Sequence, residues 1–454
     1  MDTNSNLTRR NFILSSGVAL SGTLVSGIPG SLVAKDFKKA RVALVGTGMR
    51  GTLFWLKRVP EFLGEKVEFV GLCDNNAGRL HYSKQYSKLY CAVFTDFDKM
   101  MHSVKPDYVI VSTIDSNHDE FIVRAMQLGA NVITEKPMTT DEVKCAHILA
   151  AEKKYGKKVI VGFNARYGTI FSKLKELLAQ EKIGKVTSVD FHEYLDTTHG
   201  ASYFRRWHGE KKYSGTLLLQ KSSHHFDLLN WCLDSDPVEV MAFGSLDFYG
   251  GANAFRGDNC RSCTHQKTCE FYWDITSSPT DVGLYVNNEK EDGYIRDNCL
   301  YRKNIDIYDK MSVQIRYANN VVVNYSLTTY SPYEGWQIGF NGIKGRLDAA
   351  KDIPLLSSVT TDSGQTADTV IYSSLKGTRE NIKVPRKPGS HGGADREMLK
   401  DIFSDGARSQ KSAGTRDGAL SLLIGVAARK SIETGKVIRI KDLTDIPLLA
   451  RRPA

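Results

Sequence analysis

The run Arg41-Val42-Ala43-Leu44-Val45-Gly46-Thr47-Gly48-Met49-Arg50-Gly51 constrains this chain more than any other stretch. Apolar β-formers lead straight into Gly-x-Gly-x-x-Gly, so the glycines fall between a predicted strand and a predicted helix. In that setting Gly46 makes a tight turn, Gly48 lets the backbone approach a pyrophosphate, and Gly51 lets helix pack on strand. The helix N-terminus adds free N–H groups and a partial positive charge for the phosphates. A second predicted strand, Val67 to Cys73, ends in Asp74. An acid roughly 20 residues past the glycines is where the ribose hydroxyls of a dinucleotide are read. Gly46, Thr47, Gly48, Met49, Arg50, Gly51 and Asp74 are therefore expected to bind NAD. NADP is less favoured, because Asp74 would repel a 2′-phosphate.

With 454 residues there is room for about two or three domains. Residues 37–162 alternate short apolar strands with helices, the pattern of a doubly wound parallel sheet. From residue 163 the pattern changes to consecutive strands joined by short turns such as Ala318-Asn319-Asn320. That predicts an α/β domain over 163–443 with a large, mostly antiparallel sheet, interrupted by a cysteine-rich excursion at 253–302. Residues 444–454 read as a tail.

The N-terminus carries Arg9-Arg10-Asn11-Phe12 before a Ser/Gly/Ala-rich apolar run, similar to a twin-arginine export signal over residues 1–34. Gly17, Gly22, Gly27, Pro29 and Gly30 interrupt that run, so no stable membrane anchor is expected. A periplasmic or otherwise exported location follows. The net charge of +10 is scattered, and no nucleic-acid-binding motif accompanies it.

Three groups of residues carry chemistry. Lys136 follows the predicted strand Asn131–Thr134, at the sheet edge where ligands of such folds bind. Burial would lower its pKa toward that of a working base. Lys221 and His224 lie three apart at a helix start and share a face if the turn is helical. His225 would point about 100° away, as a packing residue. Cys260-x-x-Cys263-x5-Cys269, with Cys299, offers four thiolates for Zn²⁺ or an iron–sulfur cluster. Two disulfides or free thiols would use the same residues. The metal is the expectation carried forward.

The glycine fingerprint, Glu135-Lys136-Pro137 and the Lys/His helix start, in this order, resemble the glucose–fructose oxidoreductase / inositol dehydrogenase (Gfo/Idh/MocA) family. The resemblance spans about residues 40–443. It implies a Rossmann domain followed by an α/β domain whose open sheet walls the substrate pocket and mediates homo-oligomerisation. It places the nicotinamide near Thr113, Asn117, His118 and Glu135. It makes Lys136 the catalytic lysine and His224 the catalytic histidine. Where many members carry an Asp four residues before that histidine, this chain has Gln220, which suggests that Lys221 takes over part of the role. The segment with Tyr203, Arg205, Arg206, Trp207 and His208 is expected to contact a carbohydrate, and His391 resembles a late pocket-lining turn. The resulting expectation is an exported NAD-dependent oxidoreductase of a sugar or glycoside hydroxyl that keeps its cofactor through turnover. A redox-neutral glycosidase or lyase working by transient sugar oxidation stays open, as does a non-catalytic binder of sugar or cofactor.

Overall fold

Alternate residues of the first strand serve two different cores. Val42 and Leu44 pack with Trp55, Leu56, Met398 and Leu399, whereas Ala43 and Val45 pack with Val109, Val111 and Val132. Strands buried on both faces read as continuous apolar runs, as Tyr108–Val111 and Val159–Val161 do. In the computed structural model, which describes residues 39–252, 257–353, 367–404 and 408–452, six such strands form one parallel sheet. They are β1 (Ala40–Val45), β2 (Val67–Cys73), β3 (Ala92–Phe94), β4 (Tyr108–Val111), β5 (Asn131–Thr134) and β6 (Val159–Val161). Their order is β3-β2-β1-β4-β5-β6. The chain reverses direction across the sheet between β1 and β4, which opens a crevice at their C-terminal ends. The expected export signal, residues 1–34, lies outside the described residues.

The second sheet has nine strands: β7 (Val186–Asp196), β8 (Pro237–Ser245), β9 (Lys310–Tyr317), β10 (Val322–Ser331), β11 (Gly335–Gly342), β12 (Gly345–Lys351), β13 (Ala367–Ser374), β14 (Arg379–Pro385) and β15 (Ile438–Arg439). Their order is β14-β13-β12-β11-β7-β10-β9-β8-β15. Only the β7–β10 pair is parallel, so the sheet is mixed and mostly antiparallel, as expected. Burial along β9 and β10 alternates strictly, with one face on the core and the other open. Helices Thr169–Ala179, Ser223–Leu233 and Thr415–Thr434 cover the core face.

Three features escaped the sequence reading. β13 to β15 were not foreseen; along the edge strand β14 only Val384 is buried, so no apolar period marks it. Residues Thr197–Arg205 form a helix, capped by Asp196, whose Oδ1 accepts the His199 N–H at 2.7 Å. The helix Ala394–Ile402 returns to the first domain, where Met398, Leu399 and Ile402 join the core of β1. The C-terminal half of the chain thus lends one helix to the core of the first sheet. The tail is tied down too: the Leu449 N–H and Arg452 Nε both donate to the buried Asp236 carboxylate, at 2.6 and 2.7 Å.

Candidate active site

The glycine motif folds as its spacing demands. Gly46 has φ +92°, and a Cβ there would overlap the Ser112 carbonyl. A Cβ on Gly51 would overlap the Gly46 carbonyl oxygen. Asp74 directly follows β2 and is buried; its Oδ2 accepts the Thr47 N–H and Oγ1–H at 2.7 and 3.0 Å, and its Oδ1 accepts the Asn76 N–H at 3.0 Å. Beside them runs a groove of about 620 Å³, lined by Gly48, Met49, Arg50, Asp74, Thr113 and Asn117. Thr47 is completely buried behind it. Buried Ser112 Oγ, lining this groove, has no partner among the described residues. A glycine loop that brings bare backbone to the groove, a carboxylate at the end of the second strand and an unsatisfied hydroxyl fit a dinucleotide.

A second cavity, about 810 Å³, adjoins the groove; Arg50, Ser112, Thr113, Arg206 and Trp207 line both. Lys136 sits in it, its Nζ donating to the Gln220 carbonyl at 2.6 Å. Burial lowers the Lys136 pKa to about 8, against the pull of Asp115 and Glu135 and with help from Lys221 and Arg50. Lys221 Nζ lies 2.9 Å from Glu193 Oε1. Burial works against its ammonium, yet Glu193 more than offsets this and raises its pKa. His224 lines the cavity with Nδ1 unpartnered among the described residues, and burial, then Lys136, keep it neutral. His225 turns to the sheet: Nδ1 bonds to Tyr325 Oη at 2.8 Å, and Nε2 lies 3.5 Å from Glu193 Oε2. Both rings line the cavity, but His225 also hydrogen-bonds into the sheet, whereas His224 Nδ1 has no partner among the described residues.

Other expected residues divide between contact and support. Tyr203, Trp207, His208 and His391 line the cavity with Arg206. Tyr203 stacks on His199 with ring centroids 5.3 Å apart, and Trp207 stacks on His208 at 3.6 Å. His118 is completely buried, and its two ring nitrogens face the Pro137 and Thr113 carbonyls at 2.9 and 3.3 Å. It therefore ties the loop after β4 to the loop carrying Lys136. Glu135 Oε1 accepts from Arg50 Nε at 2.6 Å and Trp55 Nε1 at 2.9 Å, so its carboxylate is anchored beside the glycine loop.

Two expectations are corrected. Arg205 lies outside the substrate cavity: its guanidinium turns away, donating to Cys260 Sγ at 2.9 Å and to the Phe271 carbonyl. Successive residues at that helix end face opposite ways, so only Arg206 reaches the cavity. The four-cysteine metal site is the second. Cys260, Cys263, Cys269 and Cys299 line one small cavity of about 20 Å³, and all four are free thiols. Among the described residues, no three His, Cys, Asp or Glu side chains form a metal-holding group. The Arg205 guanidinium donates to one of these thiols, Cys260, and the expected four-thiolate arrangement is not met among the described residues.

Glu193 and Asp115 were missed. Glu193 occupies a buried position of β7 in phase with Val189, Phe191 and Leu195, and a charge on an apolar period was its legible signal. Asp115, buried beside Lys136, had none; burial raises its pKa while Lys136 pulls it down.

Residues 40–163 match an oxidoreductase family with an NAD-binding Rossmann fold, and residues 175–440 match its C-terminal alpha/beta domain. The chain belongs to the Gfo/Idh/MocA oxidoreductase family. It is 34% identical over 422 residues to the Bacillus subtilis protein YteT, named as an oxidoreductase, spanning 88% of this chain and 98% of that one. Among solved structures it resembles the aldose–aldose oxidoreductase from Caulobacter crescentus complexed with glycerol (TM-score 0.60, 17% identity, 88% of this chain and 100% of that one). It also resembles a levoglucosan dehydrogenase in complex with NADH and levoglucosan (TM-score 0.64, 15% identity, 89% and 100%). At these identities the structural likeness establishes the fold. In this Gfo/Idh/MocA oxidoreductase the NAD-binding domain contributes Lys136 to the cavity, and the C-terminal domain contributes Lys221, His224 and Glu193.

Proposed function

We propose that this oxidoreductase is an exported, NAD-dependent dehydrogenase of a sugar or glycoside hydroxyl whose cofactor stays bound through turnover. The observation that carries the substrate class is a set of buried polar atoms without partners among the described residues, all on cavity-lining side chains: Asp115 Oδ2, His208 Nδ1, Gln220 Oε1 and His224 Nδ1. Buried polar groups are normally satisfied, so a polyhydroxylated ligand suits them. The rings of Tyr203, Trp207 and Trp336 add apolar faces suited to sugar C–H groups. The similar proteins named for aldose and levoglucosan chemistry point the same way.

NAD⁺, when bound, supplies the hydride acceptor. The substrate carbon loses a hydride and its hydroxyl a proton, leaving a carbonyl, and neutral Lys136 Nζ receives the proton. Charged Lys221, held by Glu193, donates to the substrate oxygen and restrains the Lys136 pKa. Neutral His224 accepts a hydrogen bond from the substrate and orients it.

The test supplies NAD⁺ and a panel of sugars and glycosides, follows NADH absorbance, and identifies the product by mass spectrometry. A carbonyl product with stoichiometric NADH is expected. Cleavage or elimination without net oxidation would replace the reading with the redox-neutral one. For export, a folded-protein reporter fused to residues 1–38 should leave the cytoplasm and stay inside when Arg9 and Arg10 become Lys. For retention, the purified protein should release NAD(H) on denaturation. Self-association, part of the same reading, is checked by light scattering.

A further inference from the structure

The cysteine-rich excursion does not project into solvent. Its stretch from Pro279 to Arg296 lies along the NAD-binding domain, on the helix Ala77–Ser87 and the glycine loop. The contacts follow in sequence. The Met49 N–H, in the middle of the phosphate loop, donates to Tyr285 Oη at 2.8 Å. Asn76 Nδ2 donates to the Asn288 carbonyl at 2.9 Å. The Gly78 N–H, in the first turn of its helix, donates to both carboxylate oxygens of Glu291 at 3.0 Å. Arg79 pairs with Asp292 and lies over the Tyr285 ring, 5.5 Å from its centroid.

Two glycines mark this as a built interface. A Cβ on Gly78 would overlap the Asn288 side chain, and a Cβ on Gly283 would overlap the Tyr82 ring. The two surfaces approach so closely that each presents a bare backbone to a side chain of the other. Glu291, meanwhile, supplies the negative charge that an exposed helix N-terminus favours.

The stretch also walls the groove. Tyr285, Asp292, Tyr294 and Arg296 line it together with Gly46, Gly48 and Asp74. Arg296 is fixed from behind: Nε donates to Asp281 Oδ1 at 2.8 Å, and its guanidinium stacks 4.4 Å from the Tyr285 centroid. Arg206 lines the same groove, its Nε donating to the Ser202 carbonyl, with no carboxylate pairing it among the described residues. Burial and neighbouring Arg296 both disfavour its charge, so the groove holds a cation lacking an anion. A pyrophosphate between glycine loop and arginines would supply it.

We propose that residues 279–296, with Arg206, form the second half of the dinucleotide site. They hold the pyrophosphate against the glycine loop from the C-terminal domain, through Tyr285 Oη, Arg296 and Arg206, while Glu291 and Asp292 latch the stretch to the helix Ala77–Ser87. Cofactor retention is then set by this excursion: release requires the Gly78–Glu291 and Arg79–Asp292 contacts to break first. The inference rests on the reading that NAD occupies the groove.

NADH loaded into the full-length protein is chased with excess NAD⁺ and its fluorescence decay followed. Glu291→Gln/Asp292→Asn, distant from Lys136, should speed dissociation at least tenfold, and Arg296→Leu should do the same. Unchanged rates in both variants, with NADH still binding, would overturn the proposal and leave the NAD reading intact. Wild-type protein that fails to bind NADH at all would overturn both. Hydrogen exchange of the unaltered protein gives a readout free of folding effects. Amides of residues 279–296 should gain protection when NADH is added, and equal exchange with and without it would count against the second half-site.

Discussion

Lys221 Nζ lies 2.9 Å from Glu193 Oε1, and this ion pair gives the two lysines of the cavity different tasks. Lys221 stays an ammonium, while neighbouring Lys136, pressed by burial and by the Lys221 charge, titrates near about 8. Replacing Lys221 by Met removes one positive neighbour and leaves Glu193 uncompensated, and both changes favour a protonated Lys136. The acid limb of the kcat/KM–pH profile should therefore move to higher pH in Lys221→Met. A profile that keeps its midpoint would show that Lys221 does not govern the base.

Lys136→Met should lower kcat by roughly 10²- to 10⁴-fold, the usual scale for losing acid–base help. Activity of the unaltered enzyme should rise with pH through about 8, because only neutral Lys136 accepts a proton. The variant should keep its NADH affinity and lose that limb. Fluorescence titration and a pH series on both proteins decide it.

His224 and His225 should respond differently to alanine. His224 meets the cavity with an Nδ1 that has no partner among the described residues, so its loss should fall on kcat and substrate KM. His225 holds Tyr325 and faces Glu193 inside the core, so its loss should cost about 1–3 kcal/mol of stability. Steady-state kinetics beside denaturant melts separate the two; an inactive but fully stable His225→Ala would reverse the assignment.

Cofactor choice should follow Asp74. Its carboxylate is fixed by Thr47 and Asn76, and nearby Arg79 is already shared between Asp74 and Asp292, so a 2′-phosphate meets charge repulsion there. NADH should bind more tightly than NADPH, and Asp74→Ala should narrow the gap. Equal affinities in the unaltered protein would refute this.

Acid should unfold the protein early. Burial holds His118, His208, His224 and His225 below the usual 6.5, and cations near the last three add to it. As pH falls, the unfolded chain binds protons that the folded chain refuses, so stability is full above about 6.5 and declines below it. The melting temperature measured from pH 7.5 to 5 should drop progressively, and a flat profile would contradict the burial of these rings.

The motif Gly46–Gly51, the strand ending in Asp74 and the position of Lys136 were readable in the chain because each depends on local rules. A strand, a turn that only glycine makes, and a helix start are set by residues a few positions apart. The same holds for β9 and β10, whose alternation declares which face is buried. The direction in which Arg205 and Arg206 part, the convergence of Glu193 on Lys221 and His225, and the seat of Asp115 beside Lys136 were decided by packing between segments distant in sequence. The excursion makes the contrast plainest. Its cysteine spacing suggested a metal, yet tertiary contacts put Arg205 against Cys260 and Tyr285 against Met49. Spacing records which atoms are available. Charge compensation and close packing across the fold determine which of them meet.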